Sequence, residues 1–189
     1  MMAYLVSGIT LQSIMKATSK NAINSDTYTS FAANMTFSPE TTLATGTSAN
    51  QFDRVWYAED RVINSASSED LDMYDLAAFD IGGGAGKDAL GIAFTNVELV
   101  GLAFWNKAVS TGTLYIGAKN AATAFNSIFH VNGTLDDTAG TLIAPGGFIQ
   151  WFNPNNPAYA IADTSNHLLK LAATGGNVTY SCQAWFRSA

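Results

Sequence analysis

The chain has 189 residues, 48% of them hydrophobic and only 13% charged, with a formal net charge of −6. That length suits one domain with a substantial core, and the acidic balance with nine scattered basic residues excludes a nucleic-acid partner, which selects Lys and Arg clusters. A single cysteine, Cys182, excludes a disulfide framework within the chain and reads as a small buried hydrophobe.

In chain order, residues 4–18 ("YLVSGITLQSIMKAT") place Leu5, Ile9 and then Gln12 or Met15 at helical spacing, and a short helix or arm is expected there. The first charge is Lys16, so the cationic start of a signal peptide is missing and synthesis in a host cytoplasm is expected. Residues 17–51 are mostly Ser, Thr, Asn and Ala, with an apolar break at 35–37, which predicts a weakly structured segment. The expected division is an N-terminal segment, 1–50, and a β-domain, 51–189.

From residue 53 the pattern becomes short strands separated by turns. Strands are predicted at 54–63, 70–76, 89–94, 97–105, 113–117, 148–152, 159–162, 168–171 and 178–186. The last alternates most cleanly: Val178, Tyr180, Cys182 and Ala184 face one way, opposite Thr179, Ser181, Gln183 and Trp185. Its inward face is expected to pack against Leu90, Ile92 and Phe94. One short helix is predicted at 120–129, where Ala121, Ala124, Phe125 and Ile128 share a face. The uncharged run 138–162 contains Pro145, Pro154 and Pro157 and does not read as a membrane span. Many short strands without a βαβ rhythm predict a mainly β fold, an antiparallel β-sandwich.

Chemical motifs are sparse. "DIGGGAGKDAL" (80–90) invites a phosphate-loop reading. Alignment on Gly86-Lys87 puts Ile81 where the first glycine belongs and Asp88 where the metal-binding hydroxyl belongs, so a turn is expected and no nucleotide cofactor. His130 and His167 lie in unrelated contexts without metal spacing, and nothing around Cys182 suggests a nucleophile. The acidic run Glu69, Asp70, Asp72, Asp75 has the residue types of a glycosidase pair or a calcium site. Its alternation, with Leu71 and Met73 opposite Asp70, Asp72 and Tyr74, fits an outer strand with a solvated acidic face better. Five aromatic residues, Trp56, Tyr57, Trp105, Trp151 and Trp185, are candidates either for a sugar-binding groove or for core and interface packing.

Four blocks carry a resemblance: "GTSANQFDRVWYAEDRVINSASSEDLDMYDL", "GIAFTNVELVGLAFWN", "LYIGAKNAATAF" and "LIAPGGFIQWFNPNNPAYAIADTSNHLLKLAATGGNVTYSCQAW". Over roughly residues 46–186 the chain resembles the small structural, head decoration or cement-like proteins of tailed bacteriophages and prophages. Gly46-x-x-Ala49-x-Gln51, the Glu69–Asp72 strand, the Ala144–Gly147 turn and the closing hairpin 168–178 are its most distinctive pieces. "DIGGGAGKD" and the Gln183–Phe186 ending depart from the family's pattern, and no catalytic residue carries over.

The resemblance implies a jelly-roll-like sandwich and a non-enzymatic virion protein on the capsid exterior, bound to the major capsid protein. It also implies a homo-oligomer, a trimer by analogy with other decoration proteins. The expected partner-binding residues are Tyr4, Leu5, Ile9, Ile14, Trp56, Trp105 and Trp151. No membrane partner, metal or cofactor is expected. The alternative is a virion-associated carbohydrate-binding or adhesin module using the same aromatics.

Overall fold

The computed structural model describes residues 9–12, 15–23, 29–37, 40–74, 97–118, 124–125, 128, 140–162 and 165–188. Every regular element among them is a β-strand. The N-terminal strands are β1 (Ile9–Gln12), β2 (Met15–Ile23), β3 (Thr29–Phe37), β4 (Glu40–Thr45) and β5 (Gln51–Phe52). They continue with β6 (Arg54–Ile63), β7 (Ser68–Asp72), β8 (Val97–Asn106) and β9 (Thr113–Ala118). The remainder are β10 (Gly140–Ile143), β11 (Phe148–Phe152), β12 (Tyr159–Ala160), β13 (Leu168–Thr174) and β14 (Val178–Ser188).

Two sheets dominate. One has the order β11-β8-β14-β6 with β12 added beside β8; the other has the order β10-β9-β13-β7. Their pairings are all antiparallel. The two orders match strand for strand, because short turns join β6 to β7, β8 to β9, β10 to β11 and β13 to β14. Inward side chains of both sheets belong to one apolar cluster, which includes Trp56, Leu71, Phe104, Ile116, Leu171 and Tyr180.

The turns that join the sheets are bonded to one another. At Ala144–Gly147 the Gly147 N–H donates to the Ala144 carbonyl at 2.8 Å, and Gly146 sits at φ 79° after Pro145, as the Pro-Gly-Gly chemistry predicts. The Asn177 carbonyl accepts from Thr111 and Gly112, and its side chain accepts from the Ser65 N–H. Buried Asn106 donates to the carbonyls of Gly112 and Ile143. Gly112 and Gly176 touch so closely that a β-carbon at Gly112 would lie 2.6 Å from the Gly176 carbonyl carbon.

β1, β4 and β5 form a small sheet in which β4 and β5 run parallel, while β2 and β3 pair as a separate antiparallel ribbon. Leu43 and Phe52 from this region join Val100, Ala103 and Trp185 in a second buried cluster. The five-stranded sheet is thereby covered on part of its outward face too.

Neither expected helix is seen among the described residues. Residues 9–12 and 15–23 are strands, because Ile9, Thr10, Thr18 and Ile23 are β-branched and a Thr-rich β4 and a hairpin partner satisfy the backbone. Of the helix predicted at 120–129, only Ala124, Phe125 and Ile128 are described: Ala124 makes a parallel bridge to Leu168 and the Phe125 N–H donates to the Leu168 carbonyl at 2.9 Å, while the rest of that range lies outside the described residues. The predicted ranges 54–63 and 148–152 coincide with β6 and β11, and Val178, Tyr180, Cys182 and Ala184 are all buried. The predicted strand 89–94 with Leu90, Ile92 and Phe94, and the glycine stretch 80–90, lie outside the described residues.

Candidate functional site

The outward face of the five-stranded sheet is built in rows, because directly paired residues share a face. Phe148, Trp105 and Ser181 form one row, and Gln150, Ala103, Gln183 and Tyr57 form the next. Phe152, Gly101, Trp185 and Val55 form a third. The third lies beneath the cover of β4 and β5, where Val55 and Phe152 pack against the Leu43–Trp185 cluster, and Ala103 of the second row borders that cluster. Gly101 is required there, since a β-carbon would meet the Trp185 ring at 2.8 Å.

The large side chains of the first two rows remain open. Phe148 is 63% exposed, Tyr57 47% and Trp105 43%, and between them lies a cavity of about 350 Å³ over Ala103, Ser181 and Gln183. A bulge shapes its far wall: pairing jumps from Tyr180–Arg61 to Cys182–Ala58, and Asp60 adopts φ 51°. The Asp60 N–H donates to Ser181 Oγ at 3.3 Å, and its carboxylate holds Lys107 Nζ at 3.2 Å. The same ammonium lies 4.2 Å from the centre of the Trp105 ring.

Polar clusters elsewhere have structural employment. Glu69 points inward from β7, bridging Arg61 Nη2 at 2.8 Å and the Tyr180 hydroxyl at 2.6 Å, and so ties one sheet to the other. Burial lowers the Arg61 pKa, but the hydrogen bond to Glu69 and the charges around it more than offset that and raise it above its ordinary value. Burial pushes the Tyr180 phenol and the Cys182 thiol well above their ordinary ranges, so neither is a ready nucleophile. Leu71 and Met73 are buried opposite Asp70 and Asp72, as the alternation predicts. Asp72 is engaged, accepting from the Tyr74 N–H and sharing a 2.8 Å hydrogen bond with Nδ1 of buried His167.

At the opposite edge of the outward face, Arg187 is almost completely buried. Its Nε and Nη2 donate to Glu98 Oε2 at 3.1 and 2.7 Å, Nη1 donates to the Ser48 carbonyl at 2.8 Å, and Nη2 also donates to the Asn155 carbonyl. One guanidinium thus fastens the loop before β5 and the Asn-Pro loop after β11 onto the central strand. Among the described residues no group of three or more His, Cys, Asp or Glu side chains has the arrangement of a metal site. No helix among them is long and apolar enough to cross a membrane.

Of the residues expected to bind a partner, Tyr4, Leu5 and Ile14 lie outside the described residues, and Ile9 is in β1. Trp56 is fully buried in the core and presents no surface to a partner; alternation on β6 turns it inward and Tyr57 outward. Trp151 is half-buried, edge-on to Phe104, and Trp105 is exposed. Of the five aromatics considered for a sugar groove, the fold brings Tyr57 and Trp105 to one cavity and buries Trp56 and Trp185. Phe148 completes it, a residue whose direction only the β11–β8 register reveals. Comparison with protein-family models, curated proteins and solved structures finds no match.

Proposed function

We propose that the protein is a non-enzymatic structural component of a phage virion, a decoration or cement protein on the outer surface of the head, built as a jelly-roll-like sandwich. The observation that carries this reading is the strand-for-strand correspondence of the orders β6-β14-β8-β11 and β7-β13-β9-β10. Joining each strand to its counterpart in the other sheet is the plan of the eight-stranded jelly roll, an architecture used by viral capsid proteins. The sparse charge, and large apolar side chains exposed at Val62, Val109, Leu142 and Phe148, suit a protein that gains stability from neighbours. The net charge of −6 favours the outside of the shell over the DNA-filled interior.

The partners in this reading are the major capsid protein and further copies of the chain, arranged as trimers at threefold positions. A mass-spectrometric inventory of purified virions, followed by imaging of intact particles, tests it. The expected result is a protein present in many copies on the outer shell. Absence from the particles, or a location only inside them, rules the reading out.

A further inference from the structure

We infer that the cavity on the outward sheet face is a binding site for a neutral saccharide, with Trp105 and Tyr57 as stacking surfaces and Gln183 as the hydrogen-bonding group. The inference goes beyond the virion reading and does not depend on it.

Ala103 and Ser181 are small residues in the middle of a sheet face, and Phe148, Trp105 and Tyr57 stand around them, 43–63% exposed. Large side chains around small ones make a hollow, and its volume of about 350 Å³ lies within the range of small-ligand sites. Trp105 and Tyr57 lie two strands apart, on the order of 10 Å, so a ring can enter between them.

Lys107 is paired with Asp60 and lies over Trp105, and Glu59, which carries a carboxylate, lines the cavity. A phosphate or carboxylate ligand would meet that carboxylate with no cation among the described lining residues to offset it. Gln183 and Tyr57 line the cavity, and their side chains carry an amide and a hydroxyl able to hydrogen-bond a guest. A purely apolar guest would leave those groups unsatisfied, at a cost. A sugar ring meets both demands, offering C–H faces to the aromatic rings and hydroxyls to the amide. The Lys107 ammonium restrains the Trp105 ring from one side, so little order has to be imposed on binding.

The test uses the purified full chain and a panel of maltose, cellobiose, lactose and N,N′-diacetylchitobiose, read by saturation-transfer NMR and by calorimetry. At least one disaccharide is expected to bind with a Kd at or below the millimolar range. Trp105→Ala and Gln183→Ala should each weaken it about tenfold or more, as loss of an anchoring group does. Trp105→Phe, which retains a ring, should lose much less, and Val109→Ala, in a turn away from the cavity, should change nothing. Melting temperatures of all four variants establish that the fold is intact. The inference is overturned if no member of the panel binds at about 10 mM, an order of magnitude above that range. It is equally overturned if binding survives Trp105→Ala unchanged. Sedimentation showing the cavity closed by a second copy, with Trp105→Ala releasing monomers that bind no saccharide, would also overturn it.

Discussion

Replacing Arg187 with methionine should be among the most damaging single changes to this protein. The side chain is 1% exposed, and its donors reach the Glu98 carboxylate and the carbonyls of Ser48 and Asn155. Methionine fills much of the volume but donates nothing, so a carboxylate and two loop carbonyls lose their partner together. Removing one member of a buried ion pair typically costs about 3–5 kcal/mol. The Glu98 side chain keeps 20% exposure and can be partly rehydrated, which places the expected loss near the lower bound, about 3 kcal/mol. In a chain of this size that corresponds to a fall in Tm of about 6–12 °C.

Urea unfolding is the assay, with the midpoint read at constant slope so that a change in the unfolded state is recognised. Hydrogen exchange should show a local counterpart, with faster exchange in 46–52 and 153–158. A double-mutant cycle with Glu98→Gln isolates the pair, and the double variant should be more stable than additivity predicts by about 1–3 kcal/mol. The amide oxygen introduced by that substitution can still accept from the Ala158 N–H, which Glu98 holds at 3.2 Å. A loss below about 1 kcal/mol, or strictly additive effects, would refute the assignment of Arg187 as the fastener of these loops.

Alkaline stability should follow Cys182 and Tyr180. Both are held protonated by burial above their ordinary values of 9.0 and 10.0, so their contribution is complete below about pH 9 and is lost as the unfolded chain ionises above it. The urea midpoint should stay level up to that point and then fall, and Cys182→Ala should remove the first part of the decline; a midpoint that rises above pH 9 contradicts this. Gly112→Ala should destabilise by about 1–3 kcal/mol or more, because the new methyl meets the Gly176 backbone; thermal melting within a degree of the parent would contradict the packing. Deleting residues 1–20 should leave the two large sheets folded by circular dichroism while weakening oligomerisation or capsid attachment; decoration at full occupancy by the truncated chain would count against the proposed role of this segment.

What could be read in advance depended on whether the signal was local. In β14, strict alternation fixed the inward set Val178, Tyr180, Cys182 and Ala184, since a strand buried on one face leaves little freedom of phase. Beyond Ala184 that rule fails. Trp185, Phe186 and Arg187 are all buried: Phe186 in the main core, Trp185 against Leu43 and Phe52, and Arg187 bonded to the loops at Ser48 and Asn155, a cover that no local pattern encodes. The strands of 9–45 carry Ser, Thr, Asn and Ala on both faces, so their pairing is invisible to periodicity. At Ala124 and Phe125 the apolar spacing matched a helix, yet the partner is Leu168, far along the chain. The cavity was half legible: Tyr57 and Trp105 were recognisable by type, but their convergence with Gln183 requires the register of three strands.

The order in which the strands are synthesised sets a demand on the cell that makes this protein. Among the described residues β6 hydrogen-bonds only with β14 and β7 only with β13, so both wait for the two latest strands in chain order. During translation, residues 54–72 therefore leave the ribosome ahead of their described sheet partners, which follow at 168–188 on the order of ten seconds later at ordinary elongation rates. Throughout that interval Trp56, Ile63 and Leu71, all bound for the interior, stay exposed to chaperones and to other nascent chains. Soluble yield should thus depend on how well this early stretch is shielded, and a premature stop anywhere before residue 168 should send the product to aggregation or proteolysis.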